Sequence, residues 1–350
     1  MGMQPYNEHF LFANESQWAA FVAPDKAIPI LSVELSSDRP TVVPSVTGQG
    51  RGRLFAWLGE KPVSGSVELH AWPDVLGSLL KAFLTSVTSD LEGTTAYRHK
   101  FLFNDAAALG SLSVEKQYGP DQAQFARGVM ITGMTIVARA KEPCLITLDL
   151  LAEDEAWNGG NWEDDVAAPA NPTTPIPYAS TINLPFLFHQ GVVKQGGTVA
   201  LTDGELVVSS GTDLAWVEAC EIRVEIPHEQ VFRLKQAATA GALRDAGDRI
   251  VTARCDVDWV GQGATLVQNA RAGTETVLQL FFQGPLIEET YYHELVVTLP
   301  RVFPKPGDTK SPPISGDKAR RTHQAAFEGL MHATHDKDFG LVIQNTETTV

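Results

Sequence analysis

Along most of the chain apolar and polar residues alternate one for one over short runs, which is the period of a strand with one buried face. Val67, Leu69 and Ala71 interleave with Ser66, Glu68 and His70, Leu112 and Val114 with Ser111, Ser113 and Glu115, and Ile146, Leu148 and Leu150 with Thr147 and Asp149. The second half repeats the habit: Ile222, Val224 and Ile226 against Glu221, Arg223 and Glu225, Cys255, Val257 and Trp259 against Arg254, Asp256 and Asp258, and Leu295, Val297 and Leu299 against Glu294, Val296 and Thr298. One-sided alternation predicts antiparallel sheets whose second face meets solvent or a partner. Two segments carry a helical spacing instead. Asp74 to Val87 places Val75, Leu79, Leu80, Phe83 and Val87 on one stripe, with Asp74 in position to cap it, and Ala264 to Ala270 places Leu266, Val267 and Ala270 on a shorter one.

These helices expose an internal duplication. Val63 to Leu69 and then the Asp74 helix parallel Val251 to Val257 and then the Ala264 helix, offset by about 188 residues. A late strand is expected to close each half, Leu145 to Ala152 in the first and Gly340 to Thr346 in the second. The predicted fold is therefore mainly β, two tandem β-barrel or sandwich domains, each with one packed α-helix, plus long loops. The domains cover residues 1–152 and 181–350, and an acidic, Pro-rich linker or projecting insertion occupies 153–180. Two further irregular stretches, Ser36 to Pro62 and Pro300 to Arg321, are long enough to be functional or to form partner contacts.

Composition narrows the classes. Of 350 residues 43% are hydrophobic and 20% charged, which is a globular mix that excludes disorder of the whole chain, and the length suggests more than one domain. The net charge of -15 argues against a surface that grips nucleic acid, because such surfaces neutralise phosphates. The start has neither a basic nor an apolar leader region and no run of 18 apolar residues occurs, so a soluble protein without a signal peptide is expected, and no membrane partner. Cys144, Cys220 and Cys255 lack CxxC spacing and fit buried, reduced thiols.

Candidate chemistry is sparse. The run GQGRGR at Gly48 to Arg53 lacks the Lys-Ser/Thr ending and following helix of a phosphate loop. His323, His332 and His335 lie near Asp336 and Asp338 without the surroundings of a metal site, and the acidic segment lacks the spacing of a calcium loop. No nucleophile elbow or catalytic cysteine context is present, so neither catalysis nor a cofactor is expected. Trp57, Trp72, Trp157, Trp162 and Trp216 leave open a sugar-stacking platform, against the commoner use of such residues in packing.

The stretches PVSGSVELHAWPDVLGSLLKAFLTSVT (62–88), TAYRHKF (95–101), SLSVEKQYG (111–119) and VMITGMTIVARAKEPCLITLDLLA (129–152) resemble the tail tube proteins of long-tailed, non-contractile bacteriophages. Ile222 to Ile226, Arg249 to Trp259 and His293 to Pro300 match more loosely. The acidic insertion and the basic Pro-rich loop have no counterpart in that pattern.

The resemblance implies a structural virion protein, with edge-to-edge joining into rings that stack as a hollow tube. It further implies three copies of a doubled chain per near-sixfold ring, a long loop at Ser36 to Pro62 that reaches a neighbouring ring, and assembly in the host cytoplasm. Implied partners are further copies, a tape-measure protein and genome DNA in the lumen, and tail-tip and tail-terminator proteins. Within that picture Glu68, Glu115, Asp149, Glu225, Asp256 and Asp258 are candidates to line the lumen. Arg51, Arg53, Glu153, Asp154, Glu163, Asp164, Lys318, Arg320 and Arg321 are candidates for contacts between rings. The alternatives are a tail-tip or adaptor ring of the same fold and a carbohydrate-binding β-sandwich.

Overall fold

The computed structural model describes residues 8–44, 55–174, 176, 183–234, 238–258, 262–310, 322–348 and 350. The first half supplies β1 (His9–Asn14), β2 (Lys26–Ala27), β3 (Ser32–Ser37), β4 (Thr41–Val42), β5 (Trp57–Leu58), β6 (Val63–His70), α1 (Leu76–Leu80), β7 (Ser86–Leu91), β8 (Tyr97–Leu102), β9 (Leu112–Gln117), β10 (Ala123–Arg139), β11 (Leu145–Ala152) and β12 (Asp154–Trp157). The second supplies β13 (Gly191–Gln195), β14 (Thr198–Thr202), β15 (Glu205–Ser209), β16 (Thr212–Asp213), β17 (Val217–Glu225), β18 (His228–Val231), β19 (Ala242–Asp245), β20 (Ile250–Asp258), α2 (Gln262–Ala272), β21 (Thr276–Glu288), β22 (Tyr291–Pro304), β23 (Thr322–Gly329) and β24 (Gly340–Asn345). The protein is mainly β, and its named strand pairs are antiparallel.

One pairing order occurs twice. In the first half the strands run β3–β6–β11–β10, and in the second β17–β20–β23–β22. The two runs join without a break, because Gly133–Arg139 of β10 pairs with Glu225–Ala219 of β17. The opposite side of the molecule is knitted by β24, which lies between β22 and β8, with β7 beyond β8. Both halves thus wrap one barrel-like core.

Register decides the core, since residues directly opposite across antiparallel strands share a face. Val67, Leu148, Met134, Val224 and Val251 form one buried row, and Leu69, Ile146, Ile136, Ile222, Ala253 and Phe327 the next. Phe10 and Phe12 of β1, Leu79, Leu80 and Phe83 around α1, and Leu266 and Val267 of α2 cover these rows. Each such side chain contributes about 1.5–3 kcal/mol on burial.

β10 spans 17 residues because it serves two sheets. Its start pairs with β9 and β12 and its end with β11 and β17. The ladder to β9 is interrupted between Ala126 and Val129, where Gly128 takes φ 61° and donates its N–H to Glu15 Oε1 at 2.9 Å. A side chain is disfavoured at that φ, so glycine permits the bend that carries the strand from one sheet to the other.

Three expectations are corrected. The helix predicted over Asp74 to Val87 is confined to Leu76–Leu80. Asp74 does not cap it: Val75 adopts φ 70°, and the Asp74 carboxylate accepts from Asn183 N and Nδ2 instead. Beyond Leu80 the chain tightens into turns, and Val87 is drawn into the hairpin ladder with β8, whose pairing outweighs the helical spacing. The expected late strand of the second half is present as β24, yet its pairing differs. The strand that flanks β20 as β11 flanks β6 is β23, while β24 crosses to the first half. The acidic segment, finally, does not project in its described part. β12 pairs with β10, and Trp162 packs with Phe125 and Phe21 in a small second core.

Candidate functional site

The sheet face turned away from the core is polar, and the same registers define its rows. Glu34, Ser66, Asp149, Gly133, Glu225 and Ile250 lie side by side across six strands. The next row holds Ser32, Glu68, Thr147, Thr135, Arg223, Thr252 and Glu328. Glu221 and Arg254 oppose each other in the third, and Ala219, Asp256 and Gln324 in the fourth. Five of the six lumen candidates, Glu68, Asp149, Glu225, Asp256 and Asp258, therefore share one outward face. Sequence reasoning passed over Glu34 and Glu328 there, and the alternation of Glu221 with Ile222 already marked that residue.

The face is acidic with interspersed bases. Arg223 lies 3.4 Å from Asp149 and 3.1 Å from Glu225, all three with two-fifths or more of the side chain exposed. Such open pairs contribute little to stability. They set a local charge pattern, in which Glu68 and Asp256 accept from Ser32 and Gln324.

Glu115 is the exception. It lies on β9, which is buried on both faces, and its carboxylate accepts from Gln117 Nε2 at 2.7 Å and Thr173 N at 2.8 Å. The acidic segment also turns inward. Glu153 pairs with Arg127 at 2.8 Å, Asp154 is fully buried against Lys61 at 2.6 Å, and Glu163 and Asp164 meet Arg39 and Arg127 at 3.1 and 2.9 Å. Arg127 stacks over Trp162 at 4.8 Å. Burial would weaken its charge, but the surrounding carboxylates hold its pKa above the ordinary value, and Arg127 in turn holds the Asp164 carboxyl below its own against the opposing effect of burial. Arg51, Arg53, Lys318, Arg320 and Arg321 lie outside the described residues.

The edges of the outward-facing sheet complete the site. β3 pairs with β6 alone among the described residues. Asp38 N bonds Pro62 O, so by antiparallel alternation residues 36, 34 and 32 turn their backbone groups to β6, and 33, 35 and 37 turn theirs to the open edge. Two of those groups are held by side chains: Lys116 Nζ donates to Leu35 O, and Ser37 N and Oγ donate to Glu155 Oε1 at 3.0 and 2.7 Å. At the far end of the run Lys305 N and Lys310 N bond Ala326 O and Gln324 O, which extends the β22 side of the ladder past Pro304.

The other candidates of the sequence do not assemble. Trp162 and Trp72 are taken up in packing, while Trp57, Trp157 and Trp216 are exposed on separate elements. Among the described residues no three His, Cys, Asp or Glu side chains gather to hold a metal ion. All three cysteines are buried thiols, with Cys220 and Cys255 facing each other at 3.6 Å and burial pushing the Cys144 thiol up. No described helix is long and apolar enough to cross a membrane.

A mainly β protein with a polar sheet face and an open sheet edge has the features of one that joins other chains through its edges. A family model described as phage tail tube protein matches residues 7–329, and the chain belongs to that family. No curated protein sequence matches the chain significantly. Membership places the protein in the virion tail and implies self-association into a tube.

Proposed function

We propose that three copies of this chain close into a ring through their sheet edges and that rings stack into the tube of a long, non-contractile tail, which conducts DNA into the host. The observation that carries this is the repeated order β3–β6–β11–β10 and β17–β20–β23–β22 joined at β10 and β17. The chain already contains one seam between repeats. Applying the same relation again sets β3 of one copy beside the extended β22 of the next, and ring closure removes both open edges. On this reading residues 1–152 and 181–350 are two tail-tube-like units and 153–180 connects them.

The outward face then lines the lumen. Duplex DNA carries about one charge per 1.7 Å of axis, and carboxylates such as Glu68, Asp149, Glu225, Asp256 and Asp258 repel it within a Debye length of roughly 8 Å. Glu163 and Asp164, which keep part of their side chains exposed, and the basic residues Arg51, Arg53, Lys318, Arg320 and Arg321 are the contacts proposed between rings. Assembly takes place in the host cytoplasm, with a tape-measure protein in the lumen and tail-tip and terminator proteins at the ends.

Negative-stain electron microscopy with light scattering, before and after concentration and mild warming, tests the reading. Hollow striated tubes are expected. Single closed rings would indicate an adaptor instead, and a monomer of 37.9 kDa under every condition would count against self-assembly.

A further inference from the structure

The two repeats each insert a hairpin at the same point of the fold, and among the described residues only the second is seated on the other half. Between β17 and β20 the chain forms β18 and β19, and between β3 and β6 it forms β4 and β5. The second-half hairpin lies across the seam on the first half. Gln230 Nε2 donates to Val63 O at 3.0 Å and Ala152 O at 2.8 Å, and Lys61 N donates to Ala238 O at 3.0 Å. The His228 side chain at its base is 3% exposed, and Thr239 and Ala240 near its tip are buried.

Among the described residues the first-half hairpin has no such cover. Its base is tied to its own half through Arg39, which donates to Gly59 O and pairs with Glu163. Its strands stand open: Trp57 is 51% exposed, Leu58 57%, and Thr41 and Val42 are exposed as well. A pair of apolar residues left in water on a two-stranded ribbon marks an interaction surface, since such ribbons are marginal alone.

A matching vacancy lies on the second half. The seat of β18 and β19 is the start of β6 and the end of β11, at Val63 and Ala152. In the repeated pairing order these positions correspond to Val251 at the start of β20 and Gly329 at the end of β23. Ile250 and Met331, which flank that place, are 44% and 46% exposed, whereas at the corresponding points of the first half Pro62 is partly buried and Asp154 fully buried. A cleft of 360 Å³ opens beside it, lined by Met331, Ile226, Phe103 and Arg249 among others.

We infer that the β4–β5 hairpin of one copy seats on the Ile250, Gly329 and Met331 surface of the next copy in the same ring. The inference rests on the ring proposed above and adds its direction: the relation that brings β17 to β10 also lays β18 and β19 on the first half. If β3 joins a neighbour in the same way, β4 and β5 must fall on that neighbour's second half. The stem of the long Ser36 to Pro62 loop is thereby a clamp within a ring, in contrast to the contact between rings that the family resemblance implies.

The test is a double variant, Leu58→Cys with Met331→Cys, treated with a short bismaleimide after assembly and run on a denaturing gel. The native cysteines are buried and do not compete. Covalent species that stop at three chains are expected, with each single variant giving none. Tubes that form without cross-linking would overturn the inference and leave the ring proposal standing, and a ladder that runs beyond three chains would overturn it by placing the hairpin between rings. Failure of the unmodified protein to assemble at all would overturn both. As a second reading, Trp57→Ser with Leu58→Ser should slow assembly at least tenfold and leave the melting midpoint of the monomer unchanged, because both side chains are exposed there.

Discussion

Arg127 balances the charge of the acidic segment, because Glu153, Asp154 and Asp164 all lie within 4.0 Å of its guanidinium. Removing one partner of a buried pair leaves an uncompensated charge, so Arg127→Ala should lower stability by about 3 kcal/mol in chemical denaturation. His99 gives a pH dependence. Its Nε2 faces two acceptors, Asn345 Oδ1 and Glu347 O, each at 3.0 Å, so Nε2 carries the proton and Nδ1 accepts from the Ser89 hydroxyl. Burial holds its pKa below the ordinary value despite those acceptors. The unfolded chain therefore takes up the proton first as pH falls through about 6.5, and stability present at neutral pH is lost. The melting midpoint should fall between pH 7 and pH 5, and His99→Gln should flatten that fall; an unchanged slope would clear His99 of the effect. The outward acids were legible one by one, because alternation assigns parity. Glu115 was not, since alternation cannot show that the segment near Thr173 covers the second face of β9.

At the scale of elements the open edge of β3 carries the most consequence. Ile226 N bonds Thr132 O, so in β17 the backbone groups of 224, 222 and 220 point to β10, and their counterparts in β3 are 37, 35 and 33. Two of these are the groups held by Glu155 and Lys116. Those side chains cover the edge of the single chain and must withdraw before another strand adds. Lys116→Met with Glu155→Gln should therefore shorten the lag of tube growth followed by light scattering, and a longer lag would contradict this. Gly65 sits opposite Leu35, and a Cβ there would run into the Glu34 carbonyl oxygen. Gly65→Ala should displace β3 and block assembly more than it destabilises the core, as judged by electron microscopy beside thermal melting. β6, β9, β11, β17, β20, β22 and α2 were readable from period alone, and Leu266, Val267 and Ala270 are buried as the stripe predicts. The extent of α1 and the true counterpart of β11 were not, because both depend on strand pairing, α1 through the β7–β8 hairpin and β11 through partners far away in sequence.

For the whole molecule, the duplication was legible as a faint offset, but the continuity of the sheet across β10 and β17 was not, since no local pattern announces which edges meet. On the proposed reading that continuity sets how copies combine, since a chain that holds one seam within itself reaches a ring of six repeats with three copies. On the proposed reading the outward acids line the lumen. Asp149→Lys with Glu225→Lys should make assembled tubes retain DNA at low salt, with retention fading as salt rises. The most direct measurement of the account is a cryo-EM reconstruction of the assembled tube. It should show threefold rings with near-sixfold strand order, β3 beside the chain that follows β22 of its neighbour, and Glu68, Asp149, Glu225 and Asp256 on the inner wall. Rings of six whole chains, or these acids on the outer surface, would contradict it.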